Sequence, residues 1–101
     1  KTMNNKKILL VEDDIIIGES VQELLEDEDF VVYWAKDANE AIEISYKKNC
    51  DIYLFDVDIP FLNGFELLKS LRHSGNETPC IFLTAKVDIG SLTTGFDVGA
   101  D

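Results

Sequence analysis

An α/β fold built on a doubly wound parallel sheet is predicted by three features of this chain. Short β-favouring apolar runs alternate with stretches of helical period, the runs are apolar at nearly every position, and three of them stop at oxygen-bearing side chains. Alternation of strand and helix implies βαβ units with right-handed crossovers and helices on both faces of the sheet. Strands covered on both faces lose the apolar–polar alternation of half-exposed ones. Ligands of such sheets bind outside the carboxyl ends of the strands. The terminating residues Glu12, Asp13 and Asp14, then Asp56, then Thr84, are therefore placed to converge on one site.

Each element follows from local pattern. Residues 7–11 are β-favouring and nearly all apolar, after which Ile17, Val21, Leu24 and Leu25 fall on one face of a helix ending near Asp27. Residues 30–34 read as a second strand. Asp37 with Glu40 three residues later makes a capping box ahead of Ala38, Ala41, Ile42 and Tyr46, so a second helix starts there. A third strand covers 52–55, and Pro60 with Asn63-Gly64 marks a loop. Phe65, Leu67, Leu68 and Leu71 trace a third helix stopped by Gly75 and Asn76. Pro79 leads into a fourth strand over 80–84, and a weaker helical pattern runs through Leu92, Phe96 and Val98.

At 101 residues the chain has the size of one domain, and its 46% hydrophobic and 29% charged residues place it among globular proteins. Nine basic against twenty acidic side chains give a net charge of −11, which repels phosphate backbones and anionic lipid surfaces. Direct binding of nucleic acid or membrane is not expected. No apolar stretch is long enough to span a bilayer, and no signal peptide is visible. Cys50 and Cys80 lack metal-site spacing, which fits a reduced, cytoplasmic chain. Lys1 and Thr2 precede Met3, so residues 1–5 read as an N-terminal tail or expression remnant and 6–101 as the domain.

The acids at the strand ends carry the chemistry. If the first and third strands pair, Asp13 and Asp56 become neighbours on strands about 4.8 Å apart, and two such carboxylates repel unless a cation bridges them. Mg²⁺ suits this better than Ca²⁺ or Zn²⁺, being a hard octahedral ion held by one or two carboxylates plus water and phosphate oxygens. No His or Cys belongs to the cluster. A metal there would favour ionised Asp56 and offset the charge of an incoming phosphoryl group, making Asp56 a nucleophile as well as a ligand. His73 closes the third helix, where a cation suits the dipole. Tyr33, Trp34, Tyr46, Phe65 and Phe82 are read as core or edge packing rather than a ligand box, and quenching of Trp34 is not taken to decide between readings, since that residue can lie far from the acids.

Four segments stand in a specific order and spacing: Ile8-Leu9-Leu10-Val11-Glu12-Asp13-Asp14; Asp51-Ile52-Tyr53-Leu54-Phe55-Asp56-Val57-Asp58-Ile59-Pro60 with Asn63-Gly64-Phe65-Glu66; Phe82-Leu83-Thr84-Ala85-Lys86; and Gly99-Ala100-Asp101. Together they resemble the receiver domains of two-component response regulators. The resemblance implies a flavodoxin-like sheet of order 2-1-3-4-5. It puts the phosphoacceptor on Asp56, the metal-binding acid pair on Glu12 and Asp13, and an extra, outer acid on Asp14. A further Mg²⁺ ligand falls on the backbone carbonyl of Asp58, and the hydroxyl that donates to a phosphoryl oxygen on Thr84. Asp58 and Lys86 fall where the family tunes dephosphorylation.

The implied function is a signalling one, in which a sensor histidine kinase or phosphotransfer protein gives its phosphoryl group to Asp56. The resulting acyl phosphate would switch the face around the fourth helix. The domain would not be a stand-alone enzyme but would assist its own phosphorylation and dephosphorylation. A C-terminal effector domain, often DNA-binding and used in transcription regulation, or a homodimer would complete it. The family's fifth strand, with its lysine and switch aromatic, and its fifth helix have no match before Asp101. The domain at 6–101 is thus expected to be truncated before its last strand. Either residues beyond Asp101 supply that strand, which is favoured, or dimerisation or swapping covers the edge of strand 80–84. A mass of 11.4 kDa would exclude the first.

Two rivals remain. A haloacid-dehalogenase-type phosphatase also sets a nucleophilic Asp two residues before a second, as in Asp56-Val57-Asp58, but carries that motif on its first strand and needs far more chain downstream. A pseudo-receiver serving only as an interaction module is opposed by the retained Glu12, Asp13, Asp56 and Thr84, and left open by the unmatched lysine.

Overall fold

A computed structural model describes residues 5–59 and 62–83. Pro60, Thr84, Lys86 and the helical pattern through Leu92, Phe96 and Val98 lie outside the described residues. Seven elements alternate in order: β1 (Lys7–Val11), α1 (Ile15–Asp27), β2 (Val31–Ala35), α2 (Ala38–Lys47), β3 (Ile52–Asp56), α3 (Gly64–His73) and β4 (Cys80–Leu83). The four strands form one sheet of order β2-β1-β3-β4, and every pairing is parallel. This is the order expected for the first four strands of the doubly wound fold.

The period-2 alternation of β1 divides the core between the two faces. Leu9 and Val11 join Tyr53, Phe55 and Cys80 under α2 and α3, against Ala38, Ala41, Leu67, Leu68 and Leu71. Ile8 and Leu10, with Leu54, face the other way and meet Val21 and Leu25 of α1, together with Val32 and Trp34 of β2. Tyr53 and Phe55 stack with centroids 5.0 Å apart, and the Asn76 amide donates to the Tyr53 hydroxyl at 2.7 Å, so this buried phenol keeps a partner.

Helix starts follow their caps. Asp14, Asp37 and Asn63 each have extended backbone and accept the amide of the residue three positions on, at 3.1, 2.9 and 2.9 Å. The Glu40 carboxylate reaches back one residue beyond the expected capping-box partner, accepting from the Lys36 amide at 3.0 Å. After α3, Gly75 takes φ 94°, the left-handed conformation that favours glycine, and the Asn76 amide closes onto the Leu71 carbonyl at 3.1 Å.

Several local expectations shift. The second strand lies one residue later, at Val31–Ala35, and Asp56 is the last residue of β3 rather than the first beyond it. Leu24 is 68% exposed, because the buried seam of α1 runs through Gly18, Val21 and Leu25 and leaves Leu24 at its margin. Tyr46, expected to pack, is 73% exposed on the outer side of α2. The Cys50 thiol is half-buried and Cys80 is buried in the core. Among the described residues no helix is long and apolar enough to cross a membrane.

Candidate functional site

Parallel pairing of β1 with β3 places Val11 opposite Phe55, so the next step along both strands sets Glu12 beside Asp56. Asp13 follows in the loop to α1. Glu12, Asp13 and Asp56 each offer a carboxylate oxygen, and these atoms all lie within 4.8 Å of one another. Glu12 and Asp56 are buried, at 3% and 9% exposure, whereas Asp13 is exposed. The loop is held by hydrogen bonds at Glu12, whose amide donates to the Ala35 carbonyl at 3.0 Å and whose Oε2 accepts from the Asp14 amide at 3.1 Å.

Burial of acids this close changes their titration. Burial pushes the Glu12 carboxyl up to about 7; the Asp14 amide opposes this, and the neighbouring Asp56 and Asp13 reinforce it. Asp56 is also raised, again chiefly by burial, with the charges of Asp13 and Asp58 adding; hydrogen bonds from Glu12 and the Asp58 amide pull it down. Both acids thus resist ionisation together, with Glu12 pushed toward neutrality.

The donor set fits a hard divalent cation. All three groups are carboxylates, with no imidazole or thiol among them. Their spread is close to the roughly 4.2 Å between opposite oxygens around an octahedral Mg²⁺. The site is therefore an acidic group that can hold a metal.

Of the residues expected from sequence, Glu12, Asp13 and Asp56 are brought together. Asp58 adjoins them through its amide, with its side chain exposed. Thr84 and Lys86 lie outside the described residues. Asp14, expected as an outer acid, is the N-cap of α1, its Oδ1 taken by the Ile17 amide.

Two residues escaped the sequence reading. Trp34 is not remote: its indole Nε1–H donates to the Glu12 carbonyl at 2.9 Å. Gly64, expected only as a turn former, opens α3 directly against the phosphoacceptor candidate. A side chain there would overlap the Asp56 carbonyl oxygen and come within 3.1 Å of its carbon, while the Gly64 amide donates to Val57 O at 2.8 Å. A glycine at the first turn of a helix following an acid-ended strand was the available signal for such close approach.

Comparison with known proteins gives the family of this fold. The family described as the response regulator receiver domain matches residues 8–101. The chain is 39% identical over 95 residues to a probable transcriptional regulator, ycf29, of Pyropia yezoensis, covering 92% of this chain and 43% of that protein. It is likewise 39% identical to the transcriptional regulatory protein DltR of Streptococcus agalactiae, covering 94% of this chain and 42% of DltR. It thus spans less than half the length of these curated relatives. Among solved structures, the receiver domain of Francisella response regulator 1452 superimposes with a TM-score of 0.90 at 31% identity, covering 96% of this chain and 80% of that one. The chemotaxis response regulator CheY4 of Vibrio cholerae gives 0.86 at 34% identity, covering 98% and 82%. On this sequence match and this fold, the chain belongs to the response regulator receiver domains of two-component signalling.

Proposed function

We propose that the domain is a phosphoacceptor switch in which Asp56 receives a phosphoryl group from a phosphohistidine, with Mg²⁺ held by Glu12, Asp13, Asp56 and the backbone carbonyl of Asp58. The observation that carries this reading is the convergence of three carboxylates within 4.8 Å, two of them buried. Such a cluster is unfavourable without a counter-charge and ready for one.

Bound Mg²⁺ would neutralise the negative charge that gathers on the phosphoryl oxygens during transfer. The protein's own residues do the rest. An Asp56 oxygen attacks phosphorus, a new O–P bond forms, and the P–N bond of the donor breaks with its electron pair leaving on the imidazole. Glu12 and Asp13 would hold the metal, whose charge would keep Asp56 ionised for attack. Gly64 fixes the Asp56 backbone from the start of α3, so the nucleophile has little freedom to swing away. Thr84 donates its hydroxyl to the acquired phosphoryl group, and the face around the fourth helix responds.

The partner by this reading is a sensor histidine kinase or a phosphotransfer protein, and the output passes to an effector domain or a homodimer. The length of the relatives, two of them transcriptional regulators, favours an effector module. The receiver unit itself occupies residues 6–101.

Incubation with acetyl phosphate and Mg²⁺, followed by intact-mass measurement, tests the assignment. The wild-type protein is expected to gain one phosphoryl group and Asp56→Asn none. Full Mg²⁺-dependent labelling of that variant would overturn the role of Asp56.

A further inference from the structure

The side of the acidic loop away from β3 is built around one aromatic ring. Trp34, in β2, pairs with Leu10 of β1, two residues before Glu12. Its indole N–H donates to the Glu12 carbonyl at 2.9 Å, while the Glu12 amide donates to the neighbouring Ala35 carbonyl at 3.0 Å. Both main-chain polar groups of Glu12 are thereby tied to β2.

This tie reaches the second acid through covalent geometry. The Glu12 carbonyl and the Asp13 amide belong to one planar peptide unit. Anchoring its oxygen restricts rotation of that plane and so sets the direction in which the Asp13 side chain leaves the backbone. Asp13 is the exposed member of the acidic group, so its aim depends more on its backbone than on packing.

The ring is itself confined. A side chain at Gly18 of α1 would overlap Trp34 atoms Cζ2 and Cε2, so the helix lies directly on the indole because residue 18 is glycine. The Lys36 ammonium sits 4.9 Å from the ring centroid, in cation–π range. A tryptophan needed only to fill space could point its N–H elsewhere; here the polar edge meets the one carbonyl that joins the paired acids.

We propose that Trp34 is a positioning residue for the acidic site: its indole N–H fixes the peptide joining Glu12 to Asp13 and aims both acids at a divalent cation, with Gly18 and Lys36 holding the ring in place. This deepens the proposed Mg²⁺ role and rests on it. The same contact makes Trp34, the single tryptophan of the chain, an internal reporter of ion binding.

The test measures Mg²⁺ affinity by isothermal titration calorimetry and thermal stability without Mg²⁺ for four proteins: wild type, Trp34→Phe, Gly18→Ala and Val32→Ala. Trp34→Phe keeps an aromatic ring, smaller than the indole, and loses the donor. Gly18→Ala keeps the donor and forces the ring aside, while alanine favours the helix more than glycine does. Val32→Ala weakens packing on the same face of the sheet away from the hydrogen bond. Mg²⁺ affinity should fall roughly three- to tenfold in the first two variants, the factor that one hydrogen bond of ordinary strength represents. Val32→Ala should lose stability and keep wild-type affinity, and its tryptophan emission should titrate with Mg²⁺ at the calorimetric midpoint. A purely structural Trp34 would leave affinity unchanged in both Trp34→Phe and Gly18→Ala, and that result overturns this inference alone. Should Trp34→Phe fail to fold, the affinity of Gly18→Ala decides. Absence of Mg²⁺ binding by the wild type overturns the metal role and this inference together.

Discussion

The Glu12 carboxyl holds a proton near neutrality because it is buried against two other acids, and this gives the site a definite pH signature. Its folded value of about 7 stands above the ordinary 4.5, so the metal-free fold favours the protonated form. Stability from this group is therefore full below 4.5 and is lost as pH rises through 7. Thermal melts without Mg²⁺ should show a falling midpoint over that window, flattened by Glu12→Gln. Ion binding needs the proton gone, so Mg²⁺ affinity should weaken below pH 7, by at most about tenfold per pH unit for one displaced proton. A pH-independent affinity between pH 5 and 8 would contradict the raised Glu12 carboxyl. Gly64 makes a second prediction at this scale. In Gly64→Ala the new methyl overlaps the Asp56 carbonyl, so either α3 or the nucleophile must move. Stability should drop by about 1–3 kcal/mol, as for other overpacked sites. Labelling by acetyl phosphate at saturating Mg²⁺ should slow as well.

Among the elements, α1 and α3 bury different amounts of their apolar residues, and alanine substitution should separate them. Leu68 is wholly buried against the sheet, and Leu68→Ala should cost about 2–5 kcal/mol in chemical denaturation. Leu24 carries the same side chain at 68% exposure, and Leu24→Ala should stay within about 0.5 kcal/mol of wild type. A comparable loss in both would show that α1 packs more deeply than described. The bounds of α2 and α3 were legible because Asp37 and Asn63 cap them through local side-chain chemistry. Likewise the burial of Leu67, Leu68 and Leu71 follows from helical period alone. Leu24 and Tyr46 were misplaced because period identifies a face but not its margin, which depends on what the neighbouring element presents.

At the scale of the whole molecule, cation binding and folding are linked. An ion that binds only the assembled acids stabilises the fold by about 2.7 kcal/mol at a free concentration one hundred times its dissociation constant. Mg²⁺ should raise the melting temperature of the wild type and leave Asp13→Asn or Asp56→Asn nearly unmoved. An equal rise in all three would assign the effect to general screening of the −11 net charge rather than to the site. Sequence by itself determined the order of strands and helices, the burial of β1 on both faces, and which acids end β1 and β3, because these are properties of consecutive residues and of spacing. Parallel pairing was legible from the alternation of strand and helix, and the adjacency of β1 and β3, expected to bring Asp13 beside Asp56, was reachable once family resemblance supplied the sheet order; the register that sets Glu12 beside Asp56 was not. Tertiary structure alone decided that the Trp34 indole holds the Glu12 carbonyl across 22 positions of chain, that Gly18 clears the space for it, and that Gly64 presses on Asp56. Local pattern encodes which face a residue occupies, whereas a hydrogen bond between strands depends on register, twist and the depth to which a helix settles on the sheet. Those quantities exist only when the whole core is packed.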